Sequence, residues 1–177
     1  MKMKNTKANK LIVLVTVLSL ILCSMVSIGV SAEADAAVTL DGANVAYNEM
    51  MHLAVTLECT ETLAEGATLG LIIWDADEDD LTVKNATYVT FTEKEDAKGN
   101  KYFTTQGIAA PDMAKEFKLA GCIKEADGTV RIGTAITYSV AEYLNDRLDD
   151  ADVTPDQLDL YKKTLAYGKA AGAIFAD

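Results

Sequence analysis

Between Ala37 and Tyr138 apolar and polar residues alternate with a period of two, which commits this stretch to strands. The predicted strands are Ala37 to Leu40, Asn44 to Tyr47, Met51 to Glu58, Thr68 to Trp74, Ala86 to Thr92, Lys101 to Gln106, Glu116 to Ile123 and Thr129 to Tyr138. They are rich in β-branched and aromatic residues and are separated by Gly, Asp and Asn, which supply turns. Ala126-Asp127-Gly128-Thr129 predicts a tight hairpin, because Gly adopts the positive φ such a turn needs. The charged segment Glu93 to Asn100 predicts a second, longer one. Alternation of this kind hides Leu53, Val55, Leu71, Ile73, Phe117 and Leu119 only when two sheets pack face to face.

The period changes after Tyr138. Ser139-Val140-Ala141-Glu142 and Thr154-Pro155-Asp156-Gln157 both carry the capping-box pattern that opens helices. Behind the second box, Leu158, Tyr161, Leu165, Gly168, Ala171 and Phe175 recur at three- and four-residue steps, and Leu160, Tyr167 and Ile174 widen the stripe. The expectation is that this stripe faces the sandwich. Pro111 and Asp112 mark a short helical turn near 111–115, with proline at a permitted first position. The fold class is therefore mainly β: an antiparallel immunoglobulin-like β-sandwich of about seven to eight strands, with a C-terminal helical hairpin at 139–148 and 155–175. Residues 33–138 form the sandwich and 139–177 the helices packed on it.

The segment ahead of the strands has a different character. Lys2, Lys4, Lys7 and Lys10 precede an uncharged run from Leu11 to Val30 that ends in Ser31 and Ala32. A basic start, an apolar middle and a small-residue exit describe a secretory signal peptide, 1–32, cut after Ala32. The alternative is an uncleaved anchor, since twenty such residues span a bilayer. Removing residues 1–32 takes away four lysines and no acid, leaving 12 basic against 27 acidic groups, a net of −15. Such a surface repels phosphate backbones and anionic lipid, so nucleic acid and membrane surfaces are not expected partners.

Few residues suit catalysis. His52 is the single histidine and no nucleophile elbow accompanies it, so a Ser-His-Asp or Cys-His hydrolase is not expected. Two cysteines with one histidine in separate strands lack zinc-site spacing. The acids sit in loops where both members of a glycosidase pair would ionise, so the chain reads as no enzyme. Asp75, Asp77 and Asp79 alternate after a strand and are the candidate metal ligands, for structural calcium. The match to a calcium loop breaks at Asp80, where glycine belongs, and at Ala86, where a bidentate acid belongs. Otherwise no cofactor is expected. Trp74, Tyr88 and Tyr102 are candidate platforms for stacking on a sugar, with a core position the competing role for Trp74.

Cys59 and Cys122 survive removal of the leader and are a candidate disulfide, worth about 4 kcal/mol if unstrained. Strand parity opposes it unless a bulge at Gly121 shifts the register: Cys59 shares the apolar face of Leu53, Val55 and Leu57, whereas Cys122 shares the face of Glu116 and Lys118.

Several segments together resemble a known module. In order they are Gly107-Ile108-Ala109-Ala110-Pro111-Asp112-Met113, the Asp127-Gly128-Thr129 hairpin, Ile136 to Tyr143, Leu165 to Ala171, and Phe175. The chain resembles a β-sandwich domain closed by a C-terminal helix, found in large secreted and cell-surface proteins of anaerobic Gram-positive bacteria. The likeness extends upstream through Asn44 to Leu57 and Leu69 to Asp75, and departs at Cys122, where the family pattern has an aromatic. It implies fold and compartment and brings no catalytic signature. The expected function is a secreted, non-catalytic extracellular interaction or scaffold module. The alternative is a carbohydrate-binding module using exposed aromatics, with structural calcium. The expected partner is an extracellular protein or glycan.

Overall fold

The computed structural model describes residues 37–47 and 50–175, so the expected leader at 1–32 lies outside the described residues. Nine strands are present among them: β1 (Val38–Tyr47), β2 (Met51–Cys59), β3 (Thr68–Asp75), β4 (Tyr88–Thr90), β5 (Lys94–Glu95), β6 (Lys101–Thr104), β7 (Phe117–Lys124), β8 (Val130–Ile132) and β9 (Ile136–Tyr138). The first sheet has the order β1-β2-β6-β5 and the second β4-β3-β7-β8, with β9 also on β7. The pairs are antiparallel. The fold is the antiparallel β-sandwich with C-terminal helices that the alternation predicts.

The main core lies between the layers. Leu53, Val55 and Phe103 from the first sheet meet Leu71, Ile73 and Leu119 from the second, and Phe117 packs at the margin. Val140, Tyr143 and Leu144 of helix α1 (Val140–Asp146) and Tyr161 of helix α2 (Pro155–Phe175) plug the same core. Both predicted helix starts are capped, the second by a reciprocal box. Ser139 Oγ accepts from Glu142 N at 3.0 Å, and Thr154 N donates to Gln157 Oε1 at 3.0 Å. Ser139 is itself buried, so Ser139→Ala orphans an amide where water is scarce. The expected cost is about 1 kcal/mol, read in a thermal melt as a fall of roughly 3 °C.

Three predicted elements differ in detail. Ala37 to Leu40 and Asn44 to Tyr47 are one strand, β1, with a register shift between Leu40 and Gly42 where the expected break lay. The predicted strand Ala86 to Thr92 is shorter: a 3-10 turn at Val83–Asn85 comes first and β4 begins at Tyr88. Thr129 to Tyr138 splits into β8 and β9 around Gly133. Gly133 N donates to Gly121 O at 2.8 Å, and its Cα lies so near the β1 backbone that an added methyl would overlap the Val38 carbonyl. The chain breaks its pairing there and resumes it along the same edge of β7 at Ile136, three residues later. The Asp127-Gly128 turn forms as expected, with Gly128 at φ 90°.

The second sheet is covered on both faces. Ile72, Trp74, Ala120, Cys122 and Ile132 make a smaller core on its outer side. Leu81, Ala86, Val89 and Phe91, contributed by the segment after β3 and by β4, close over them. This flap is held by Trp74 Nε1, which donates to Thr82 O at 2.8 Å. The acidic residues Asp75 to Asp80 are the rim of that cover.

Candidate functional site

Trp74 is fully buried under the flap. It presents no ring face to a sugar, which corrects its assignment as a platform: a tryptophan outward by parity is still inside when a second layer covers that face. Tyr88 is half-buried and packs on the main core. Tyr102 is different. It lines a shallow groove of about 470 Å³ on the outer side of the first sheet, with Asn44, Thr56, Asp96 and Asn100. Asp96 is held in place by Asn100, which donates through its backbone and side chain at 2.9 and 2.8 Å.

Asp75, Asp77 and Asp79, the residues expected for calcium, are not brought together. Among the described residues no three His, Cys, Asp or Glu groups converge as metal ligands. The loop runs on into the flap, and lysines stand beside two of its acids. Asp75 lies 3.2 Å from Lys115 Nζ, while Lys118 Nζ donates to Glu78 O at 2.8 Å and sits 3.8 Å from Asp79. Asp77 is exposed.

Cys59 and Cys122 are free thiols, so the candidate bridge is not made. The two lie on different faces, as parity predicts: Cys59 ends β2 of the first sheet and Cys122 points into the outer core of the second. The second sheet stands between them. Burial pushes the Cys122 thiol up to about 12, so thiolate is scarce at neutral pH. Iodoacetamide should therefore label native protein at Cys59 and spare Cys122 until urea is added. Peptide mass spectrometry reads the difference; native labelling at Cys122 would contradict the buried outer core. His52 is half-buried, and its Nδ1 donates to Thr105 O at 2.8 Å, a link between β2 and the end of β6.

Two concavities lie beside the loops and helices. A cleft of about 220 Å³ at one end of the sandwich is floored by Ile73, Ile108 and Phe117, and Asp75 and Lys115 pair on its rim. The larger is a groove of about 540 Å³ between the β1–β2 turn and α2, lined by Tyr47, Met50, Met51, Ile108, Leu160 and Tyr167. Its walls are tied by Tyr47 OH, 3.4 Å from Thr164 Oγ1. Burial raises the Tyr47 phenol above its ordinary value, and Lys163 also lines the groove.

Helix α2 explains why this groove is open. Gly168 lets the helix settle on the turn Ala110–Asp112, since a methyl there would overlap Met113 Sδ. Gly168 and Ala171 are buried on this side of the helix, Tyr161 is buried in the main core, and Leu158 and Leu165 are half-buried. Leu160, Tyr167 and Ile174 point away from this side, and Phe175 runs past the support; all four are exposed. The expectation that the full stripe faces the sandwich is thus corrected for its outer members. A helix of 21 residues, about 30 Å long, rests on too narrow a seat to bury so wide a stripe. The groove itself is not anticipated by the sequence reading, although the seven-residue spacing of Leu160, Tyr167 and Ile174 is a signal that was present.

No protein-family model matches the chain, and no curated protein matches it. Among the described residues no helix is long and apolar enough to cross a membrane.

Proposed function

We propose that the chain is a non-catalytic interaction or scaffold module that acts outside the cell, exported by the leader at 1–32. The observation that carries this reading is the apolar face on α2, continuous with the groove against Tyr47 and Met50. Exposed apolar surface of that extent marks a contact site. The sandwich is the rigid frame that holds the helix in place. His52 is committed to a structural hydrogen bond, and Asp75 and Asp79 stand beside lysines, which supports a role without chemistry. The resemblance to secreted modules of anaerobic Gram-positive bacteria supports the compartment. A photoreactive phenylalanine analogue in place of Tyr167, displayed by cells that export the chain, tests the reading. Discrete cross-linked species are expected from position 167 and none from Lys98 at the far hairpin. An absence of adducts at 167 would count against an interaction role for this face.

A second reading, glycan binding, is favoured by one observation. Tyr102 stands beside Asn44, Thr56 and Asp96 in the groove of the first sheet, an aromatic with hydrogen-bonding neighbours. Under that reading, calorimetric titration with cell-wall oligosaccharides gives heat that Tyr102→Ala removes. A flat titration across the panel discards it.

A further inference from the structure

We infer that the partner of the α2 face is a second copy of this chain, packed antiparallel, α2 against α2, about a two-fold axis at Tyr167. The inference rests on the interaction reading above and deepens it.

Spacing is the first ground. Leu160 and Ile174 each stand seven residues from Tyr167, so a two-fold axis at Tyr167 lays Leu160 of one copy against Ile174 of the other. A patch symmetric about its own centre is what an isologous contact requires. Small residues follow on the open side, Ala166, Ala170 and Ala173, and permit close approach of two helices.

Area is the second. Tyr47, Met50, Leu160, Tyr167, Ile174 and Phe175 are each between 40% and 73% exposed. At about 200 Å² for a large side chain, that is roughly 700 Å². The largest patch on a typical monomer is about 300–600 Å², whereas each partner in a standard interface contributes about 800 Å². The face is too large for an ordinary monomer surface and nearly sufficient for a dimer.

Charge is the third. The chain carries −11 overall, and self-association over an acidic surface is opposed by repulsion. Helix α2 is the exception: Asp156 and Asp159 stand against Lys162, Lys163 and Lys169, a net of +1. Lys163 already pairs with Asp159 at 2.7 Å. In the antiparallel register Lys163 comes level with position 171 of the other copy, where the open side of the helix presents Ala170, so no like charges meet.

Residues 32–177 form one compact unit whose core closes on itself, so that unit is the material for the test. Sedimentation equilibrium is expected to show a monomer–dimer equilibrium. Tyr167→Lys changes both copies at the axis and should weaken association by more than about tenfold, with the melting of the monomer unchanged. The register is tested by single cysteines in a Cys59→Ala background. Tyr167→Cys should form an intermolecular disulfide under mild oxidation. Leu160→Cys should form one only when joined by Ile174→Cys. A unit that stays monomeric at every concentration, or a dimer that persists in Tyr167→Lys and fails to cross-link through position 167, overturns the inference. If the photo-cross-link from position 167 on cells is to a different protein, the self-pairing is overturned while the interaction reading stands.

Discussion

Trp74→Ala is expected to lower stability by about 3–5 kcal/mol, the usual cost of deleting a large aromatic from a core that cannot collapse. Trp74 is fully buried against Ile72, Ala120, Cys122 and Ile132, and it holds the flap as well as filling space. The indole N–H is the anchor for Thr82 O. Removing it both opens a cavity and releases the segment that covers the outer face of the second sheet. The effect should therefore exceed that of a comparable truncation between the two sheets, where β-strands on both sides stay paired. Urea denaturation monitored by circular dichroism reads the loss. Cys122 should become reactive to iodoacetamide in the same variant, because the cover that shields it depends on Trp74. A stability change under about 1 kcal/mol would mean that the flap is not part of the fold.

Gly133→Ala is the second large effect, expected at about 3 kcal/mol or more. Most glycine substitutions meet a side chain that can turn aside. At Gly133 the added methyl meets the Val38 carbonyl of β1, and Gly121 O lies 3.1 Å away. Neither backbone can yield without breaking the Gly133 N to Gly121 O bond or shifting β1 off β2. The measurement is again the denaturation midpoint, with Gly128→Ala as the comparison. Gly128 needs its positive φ but has open space for a methyl, so its cost is only that of the turn.

Much of the architecture is legible in the residues, and the gaps have a common cause. Alternation in β2 and β7 places Leu53, Val55 and Leu119 in the core, and the two capping boxes mark where α1 and α2 begin. Parity separates Cys59 from Cys122. What alternation does not state is whether the outward face meets water. In β3 the run Leu69-Gly70-Leu71-Ile72-Ile73-Trp74 is apolar on both parities, the pattern of a strand buried on both sides. Reading that run together with Leu81, Ala86 and Val89 beyond the acids would have revealed the flap and withdrawn Trp74 from the sugar platforms. The acidic residues drew attention as ligands because their number is visible in sequence and their pairing with Lys115 and Lys118, some 40 positions away, is not. Helix α2 failed in the opposite sense. Its stripe is wide enough for two contacts, and the chain supplies a seat for one, the turn at Ala110–Asp112 under Gly168. The candidate interaction face is the remainder.

The single tryptophan allows the claim beneath all of this, a second sheet sealed on its outer side with α2 left as the apolar surface, to be measured directly. Emission of native protein and its quenching by acrylamide report the surroundings of Trp74. A blue-shifted spectrum that acrylamide barely quenches, and that oligosaccharides leave unchanged, is the expected result. A red-shifted, readily quenched spectrum in folded protein would place Trp74 in solvent, and the flap, the sealed sheet and the assignment of recognition to α2 would fall together.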